Sequence, residues 1–297
     1  MRALRFHSYG EPADVLRLDE TATPPEPGPG QVRIAVEACG LTPADWAICG
    51  GLHAGELPRG IGLEAAGTVA ALGPDVTGVA IGDPVFGPTV YTGASAGAAD
   101  QVVLRTWFPR PAGLGAVEAA ALPMAVETAY RGLAALGDVA GKRVLISGAG
   151  TTIGFAAVQI AVRLGARVVA SAGKTYADAL EGFGAEVVPY GKGLGKRVGS
   201  VDLVLDTAPV GVMPELLTTV TDPADIVTVS DFAALKDLGV RSTDMNLRYD
   251  VLGEYAALAA AGGFTVPIAG TYPLESWREP LAISRSGQAR GKHVLIP

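Results

Sequence analysis

The sequence predicts an α/β protein, with an all-β first part followed by a doubly wound parallel sheet. From Leu136 onward, short apolar runs alternate with segments of helix length, which is typical of a parallel sheet covered on both faces. Before about Gly115, apolar residues alternate in strand fashion between turns rich in proline and glycine. Hydrophobic residues make up 49% and charged residues 18% of the 297 residues, so a full core is expected.

The first part is expected to contain strands at 32–37, 67–73 and 83–87, each between turns. The second part is expected to contain strands at 144–147, 167–171, 186–189, 202–206 and 226–230, with helices between them. After Phe264 the pattern returns to one strand, one helix at 274–285 and a last strand at 293–296. No internal repeat interrupts this order.

The segment after the first parallel strand carries the strongest functional motif. An apolar run at 144–146 leads into a glycine-rich turn from Gly148 to Gly154, and apolar residues then recur at helical spacing to Leu164. A strand, a glycine turn and a helix in this order aim free backbone N–H groups and the positive end of the helix dipole at a phosphate. The motif therefore predicts nucleotide binding.

Composition excludes several other classes of protein. The net charge is −7 and no basic block is present, which argues against a nucleic-acid partner. No apolar run is long enough to span a bilayer, so no membrane partner is expected. The cysteines are Cys39 and Cys49, and no secretory segment follows Met1, so we expect a cytoplasmic protein.

Further short motifs occur in a characteristic order. They are Gly-Gln-Val-Arg-Ile at 30–34, Gly-Leu-Thr-Pro-Ala-Asp at 40–45, Gly-Leu-Glu-Ala-Ala-Gly at 62–67, Gly-Asp-Pro-Val-Phe-Gly at 82–87, Glu-Ala-Ala-Ala-Leu-Pro at 118–123, Glu-Thr-Ala-Tyr at 127–130, Val-Asp-Leu-Val-Leu-Asp at 201–206 and Ala-Arg-Gly-Lys at 289–292. Over nearly its whole length the chain thus resembles the zinc-free quinone oxidoreductases of the medium-chain dehydrogenase/reductase family, especially the bacterial NADP-dependent members.

The resemblance implies a domain organisation and a place for the site. It implies a GroES-like domain at 1–118 and 265–297, a Rossmann domain at 119–264, and an active site in the cleft between them. It also implies a homodimer and a small-molecule substrate. In this reading Trp46, His53 and Tyr91 are substrate-binding candidates.

A metal site is not expected. Thr42 and Leu63 stand where zinc-binding relatives carry a cysteine and a histidine ligand, and two cysteines cannot build a four-thiolate site. His7, His53 and His293 are scattered and lack ligand spacing, so we expect them on the surface or in loops. Glu64 stands where relatives carry a structural acid.

The glycine turn departs from the usual pattern, because Thr151 and Thr152 replace glycine. A Cβ at the middle position would hinder the approach of the pyrophosphate. Three interpretations are open: a bulged loop in which Gly150 makes the approach and the threonine hydroxyls bind phosphate, weakened binding, or lost binding. The cofactor-binding candidates in this segment are Gly148, Gly150, Thr151, Thr152, Ile153 and Gly154.

The end of the second parallel strand favours NADPH over NADH. Residues 168–174 contain no acid for a ribose 2′-hydroxyl, whereas Ser171 and Lys174 could meet a 2′-phosphate as donor and counter-charge. Tyr190 matches a tyrosine that in the family lies against that phosphate. Thr207, Phe232 and Lys292 are further cofactor-binding candidates.

Hydride transfer needs orientation and a donor for the developing oxyanion. Thr42, Asp45 and Thr128 are the catalytic candidates, and Asp45 lacks the arginine partner of relatives because Cys49 takes its place. The expected function is an NADPH-dependent reductase of quinones or α,β-unsaturated carbonyls. A non-redox cyclase, isomerase or lyase on the same fold, with altered or lost cofactor binding, is the alternative, and a dinucleotide-sensing protein is a third.

Overall fold

The computed structural model describes residues 1–24, 26–90, 92–209, 211–244 and 246–297. The chain forms two compact units. The first unit contains Met1–Met124 and Leu252–Pro297, and the second contains Ala125–Val251. The expected domain bounds lay at 118/119 and 264/265, so the first unit holds more of the chain at both of its borders with the second.

The described strands are β1 (Arg2–Phe6), β2 (Leu16–Glu20), β3 (Val32–Leu41), β4 (Arg59–Gly60), β5 (Glu64–Leu72), β6 (Pro84–Pro88), β7 (Gln101–Leu104), β8 (Phe108–Pro109), β9 (Arg143–Ser147), β10 (Arg167–Ala172), β11 (Glu186–Pro189), β12 (Leu203–Asp206), β13 (Ile226–Thr228), β14 (Ile268–Pro273) and β15 (Lys292–Ile296).

The described α-helices are α1 (Pro12–Val15), α2 (Pro43–Cys49), α3 (Ala116–Ala120), α4 (Leu122–Leu136), α5 (Thr152–Arg163), α6 (Ala177–Gly182), α7 (Leu194–Val198), α8 (Met213–Leu216), α9 (Ala234–Asp237), α10 (Leu252–Ala260) and α11 (Arg278–Arg285). The helix expected at 274–285 is divided, because a 3₁₀ turn at Leu274–Ser276 precedes α11. Among the described residues, no helix is both long and apolar enough to cross a membrane.

The first unit consists of two sheets with short helices. Its larger sheet runs in the order β14-β15-β3-β5-β6-β8, with β7 also paired to β3, and its smaller sheet runs β2-β1-β4. The long strand β3 buries Val32, Ile34 and Val36 on one face, as its alternating sequence predicts. The expectation of an all-β first part is wrong, because α1 and α2 interrupt it. Pro43 at the start of α2 suits the first helical turn.

The second unit contains the predicted parallel sheet. Its described strands run in the order β11-β10-β9-β12-β13, and all of their pairings are parallel. The order reverses between β9 and β12, which in such sheets marks the place where a ligand binds at the carboxyl ends of the strands. Leu145, Val169 and Val204 lie together in the buried core on one face of this sheet. The doubly wound α/β architecture is therefore confirmed.

Candidate functional site

Two glycines shape the turn between β9 and α5. Gly148 has φ +74°, and a Cβ built on it would lie 2.6 Å from the Ala208 Cα. A Cβ on Gly154 would collide with the carbonyl oxygen of Gly148. Both positions therefore need glycine, the first for its conformation and both for close packing. Gly150 differs, because among described residues a Cβ built on it would come within 4 Å of Tyr176 alone, at 3.7 Å.

The Thr151 hydroxyl is engaged inside the protein. Thr151 has φ −78°, which needs no glycine, and its Oγ1 accepts a hydrogen bond from the N–H of Gly154 at 3.0 Å. Thr207 Oγ1 donates to the Ser147 and Gly148 carbonyls at 2.8 and 3.1 Å and lies 3.2 Å from Thr151 Oγ1. Thr151 is thus an N-cap and Thr207 an anchor for the turn. The interpretation that both threonine hydroxyls bind phosphate is not supported for Thr151.

The amino end of α5 still offers donors to an anion. Within the described part of the chain, no acceptor lies within hydrogen-bond reach of the Thr152 and Ile153 N–H groups or of the Thr152 hydroxyl. These groups stand at the positive end of the helix dipole, at the reversal of the strand order. The donor set and the room at Gly150 fit the pyrophosphate of a dinucleotide.

Two of the three residues predicted for the adenosine end come together. Lys174 opens a 3₁₀ turn after β10, is exposed, and forms no ion pair with any described residue. Tyr190 is 70% exposed, and a Cβ built on Gly173 would lie 3.1 Å from its ring. Tyr190 therefore packs on the residue before Lys174. Ser171 is only 1% exposed and its Oγ is enclosed without a hydrogen-bond partner among described residues, so it lies below this surface rather than on it.

A buried polar row that sequence analysis missed crosses the sheet below this site. Ser171, Ser147, Asp206 and Thr228 are neighbours in register on four adjacent strands. Asp206 accepts from Thr228 Oγ1 at 2.9 Å and from the Ala208 N–H at 3.2 Å, and burial raises its pKa. The signal in the sequence was a polar residue at or next to the end of each apolar strand.

Thr228 connects this polar row to the turn that follows β13. Its Oγ1 accepts hydrogen bonds from the N–H groups of Ser230 and Asp231, at 3.3 and 3.0 Å. Phe232, a predicted cofactor-binding residue, follows this turn and is exposed. The Thr228 side chain therefore holds the backbone of this turn, and Phe232 lies exposed just after it.

In the first unit, Asp45 joins two segments of backbone. It is completely buried, and its carboxylate accepts from the Thr42 N–H and Oγ1, at 2.7 and 3.0 Å, and from the Gly62 N–H at 2.7 Å. Burial raises its pKa to about 6. The Gly62 N–H thus meets the carboxylate that relatives pair with arginine. Because the Thr42 hydroxyl donates to Asp45, it offers a lone pair rather than a proton to a further group.

The substrate-binding candidates take different positions. Trp46 is buried in the core of the first unit, and its Nε1 donates to Ser284 Oγ at 3.0 Å, so its contacts are structural. His53 lies in an exposed loop with φ +54°, and its carbonyl accepts from Arg59 at 2.7 Å. Tyr91 lies outside the described residues.

Lys292 is not placed to bind a cofactor. Its Nζ lies 2.5 Å from Glu64 Oε1, the two side chains are 2% and 0% exposed, and Glu64 also accepts from the Met124 N–H at 2.8 Å. The Lys292 amine is therefore engaged in a buried ion pair of the first unit. The pair gives Glu64 a structural contact of the kind expected for it.

Thr128 lies within α4, six residues after the helix begins at Leu122. Its Oγ1 lies 3.4 Å from Glu127 Oε2. Glu127 is completely buried and pairs with Arg131 at 2.6 Å, so it is structural. The long distance leaves the Thr128 hydroxyl able to donate to another group.

The residues at the zinc-ligand positions do not fit a metal. Leu63 is buried, and burial raises the pKa of the Cys39 thiol and raises that of Cys49 to about 12. In the described ranges no group of three or more histidine, cysteine or acidic residues is placed to hold an ion. The expectation that every histidine lies at the surface or in a loop is wrong for His293, which is buried in β15 next to Tyr272.

Comparisons with known proteins agree with this architecture. Residues 28–125 match the family described as alcohol dehydrogenase GroES-like domain, and residues 183–295 match the family described as zinc-binding dehydrogenase. The human quinone oxidoreductase is 30% identical over an alignment 335 positions long, which covers 100% of this chain and 98% of the relative. The solved quinone oxidoreductase of Coxiella burnetii superposes with a TM-score of 0.87 at 27% identity, covering 100% and 99% of the two chains.

A higher identity occurs over a smaller part of a much longer protein. The spectinabilin polyketide synthase system protein NorB of Streptomyces orinoci is 41% identical over 159 residues. The match covers 53% of this chain but only 7% of that protein. It therefore concerns one segment of a large synthase.

A GroES-like first unit and a five-stranded parallel sheet define a medium-chain dehydrogenase/reductase, which is a class of pyridine-nucleotide oxidoreductases. Within that class, the full-length match to the human enzyme shows that the chain belongs to the quinone oxidoreductase family.

Proposed function

We propose that the protein is an NADPH-dependent reductase of quinones or α,β-unsaturated carbonyls that works without zinc. The observation that carries the choice of cofactor is the end of β10, where Ser-Ala-Gly-Lys stands in place of an acid. Lys174 is exposed there without an ion-pair partner among described residues, beside the Gly173 that supports Tyr190. A lysine supplies a charge-assisted hydrogen bond to a 2′-phosphate, whereas an acid would repel it.

The residues of the second unit would hold the cofactor by its phosphates. The Thr152 and Ile153 N–H groups would bind the pyrophosphate, and Lys174 the 2′-phosphate, while Thr151 and Thr207 keep the turn in place. When bound, NADPH would supply a hydride to the electron-poor carbon of the substrate, and water would supply the proton. The Thr128 hydroxyl is the donor best able to meet the developing oxyanion, because that of Thr42 is directed at Asp45.

The substrate class is supported by the relatives. Those of Homo sapiens and Coxiella burnetii are both named quinone oxidoreductases, and they do not favour the non-redox alternative. A quinone is a conjugated dicarbonyl, so an α,β-unsaturated carbonyl presents the same electron-poor carbon. Zinc independence is supported by Thr42 and Leu63, neither of which is a ligand that suits zinc.

The test combines titration and turnover. Calorimetry with NADPH and NADH is performed on the wild type, on Lys174→Ala and on the control Lys142→Ala. Lys142 precedes the amino end of β9, whereas Lys174 follows the carboxyl end of β10. We expect Lys174→Ala to weaken the binding of NADPH about five- to tenfold and to leave the binding of NADH nearly unchanged. Added salt should reduce the difference, because it screens the lysine charge. The control should bind like the wild type. Oxidation of NADPH by 1,4-naphthoquinone and by 2-cyclohexenone is then followed at 340 nm.

Equal losses for both cofactors in Lys174→Ala would overturn the NADPH assignment. Tight NADPH binding without oxidation by either acceptor would overturn the reductase and leave the cofactor assignment intact.

A further inference from the structure

One side chain of α7, Arg197, holds the turn that follows β11. Its Nε and Nη2 donate to the Pro189 carbonyl at 3.2 and 2.9 Å, and its Nη2 also donates to the Tyr190 and Gly191 carbonyls at 3.3 and 3.1 Å. Its Nη1 donates to the Lys192 carbonyl at 3.0 Å. Four consecutive carbonyl oxygens therefore converge on one guanidinium, whose fork of N–H groups a lysine cannot reproduce.

Arg197 reaches this turn from a fixed base. Leu194 of α7 is completely buried in the core of the second unit. Glu215 accepts hydrogen bonds from the N–H groups of Gly193 and Gly195 at 2.7 and 3.0 Å, which lower the pKa of its carboxyl group. The short helix is thus tied down at its amino end, and Arg197 projects from an ordered element.

The turn needs such a support because its own backbone is permissive. Gly191 has φ +97° and Gly193 has φ +80°, which are values that glycine adopts without strain. Glycine also reaches many other backbone conformations, so the two residues alone do not fix the turn. Ordering two glycines costs more conformational entropy than ordering other residues. A guanidinium bonded to four carbonyls restricts this freedom and offsets the partial negative charge of the oxygens.

The position of the turn sets the position of Tyr190. In the pairing of β10 with β11, Ala172 lies opposite Pro189, so the two strands end side by side. Directly beyond these residues, the Tyr190 ring packs on Gly173, and Lys174 follows. A displacement of the turn would therefore move the Tyr190 ring relative to Gly173 and Lys174.

From this geometry we infer that Arg197 is a positioning residue that gives the protein its preference for a 2′-phosphorylated nucleotide, by holding Tyr190 on Gly173 beside Lys174. The inference rests on the proposed function, because it takes NADPH as the cofactor. Arg197 acts through the turn and through Tyr190.

Two variants and a matched control test this role. Arg197→Lys keeps the charge but loses the convergent hydrogen bonds. Gly173→Ala leaves Arg197 intact and places a methyl group 3.1 Å from the Tyr190 ring, at a position whose φ of −85° alanine adopts without strain. Arg241→Lys is the control, because Arg241 also donates to two carbonyls of the second unit, those of Ala224 and Ala135, at 2.5 and 2.8 Å, and neither carbonyl belongs to α7 or to the turn after β11.

Calorimetry with NADPH and NADH is combined with hydrogen exchange of residues 186–199. We expect both Arg197→Lys and Gly173→Ala to lower the ratio of NADPH to NADH affinity about three- to tenfold. Arg197→Lys should also speed amide exchange at 190–193. Arg241→Lys should leave the ratio unchanged even if it lowers the melting temperature.

An unchanged ratio in Arg197→Lys, or equal losses of both cofactors, would overturn the inference, since either outcome reduces Arg197 to a structural residue. A wild type that binds neither cofactor, or prefers NADH, would instead overturn the proposed function, so the two failures are distinguishable.

Discussion

Asp45 links pH to stability at the scale of a single residue. It is completely buried and accepts three hydrogen bonds, but no described lysine or arginine forms an ion pair with it, and burial raises its pKa from 3.8 to about 6. Desolvation of the charged form therefore outweighs the two backbone donors and one hydroxyl donor that favour it. This balance makes Asp45 a structural carboxyl group whose ionisation the fold disfavours.

Between pH 3.8 and about 6, the folded protein binds more protons at Asp45 than the unfolded chain does. The contribution of Asp45 to the free energy of unfolding should therefore fall as pH rises through this window, by up to about 3 kcal/mol. Asp45→Asn cannot ionise, so its pH profile should lack this fall. Urea unfolding at pH 4, 5, 6 and 7 measures the difference. Asp14→Asn, at an exposed carboxyl of the same unit, should keep the wild-type profile, and parallel profiles for wild type and Asp45→Asn would contradict the assignment.

At the scale of the element, the Thr151 side chain caps the amino end of α5, at a position where relatives carry glycine. Because the Thr151 hydroxyl occupies the Gly154 N–H, that donor is withheld from a bound phosphate. The wild type should still bind NADPH at micromolar strength, roughly −8 kcal/mol, through Thr152 and Ile153. Thr151→Gly frees the third donor and should tighten binding about three- to tenfold, at a cost of only a few tenths of a kcal/mol to the helix.

Calorimetry and thermal unfolding measure the two effects. Thr151→Ser keeps the hydroxyl and should match the wild type in both measurements. If instead the wild type does not bind and the Thr151→Gly, Thr152→Gly double variant does, then the two side chains fill the space of the pyrophosphate and our interpretation of the turn is wrong.

Elements were more predictable than the contacts between them. The strands β9 to β13 could be located within about two residues, because a buried parallel strand is a continuous apolar run between turns. The helix α2 was missed, because seven residues give little periodicity. The use of the Thr151 hydroxyl could not be foreseen, since its partner Thr207 lies 56 residues away. The burial of Lys292 depends on Glu64, 228 residues away, and motif resemblance alone suggested a cofactor contact.

At the scale of the whole chain, the Glu64–Lys292 pair ties the last strand to the first unit's sheet. Both side chains are almost completely buried, so removing one leaves an uncompensated charge. Lys292→Met should therefore lower the free energy of unfolding by about 3–5 kcal/mol, measured by urea denaturation.

A double variant tests whether the two side chains are coupled. Combining Lys292→Met with Glu64→Gln, which keeps an acceptor for the Met124 N–H, should recover part of that loss. Glu26→Gln, at an exposed ion pair, should change stability by less than about 1 kcal/mol. Additive losses in the double variant would show that the pair is not coupled.

The whole protein should contain no bound zinc although one of its matched families is described as zinc-binding. A catalytic zinc needs three protein ligands, and two of the family positions carry the Thr42 hydroxyl and the buried Leu63 alkyl chain. Neither cysteine can substitute readily, because burial raises the pKa of both thiols and a metal binds the thiolate. Mass spectrometry of the purified protein should thus find less than about 0.1 zinc per chain, and dialysis against a chelator should leave NADPH oxidation unchanged. Near-stoichiometric zinc that survives gentle chelation would contradict this expectation and would require ligands other than the family positions.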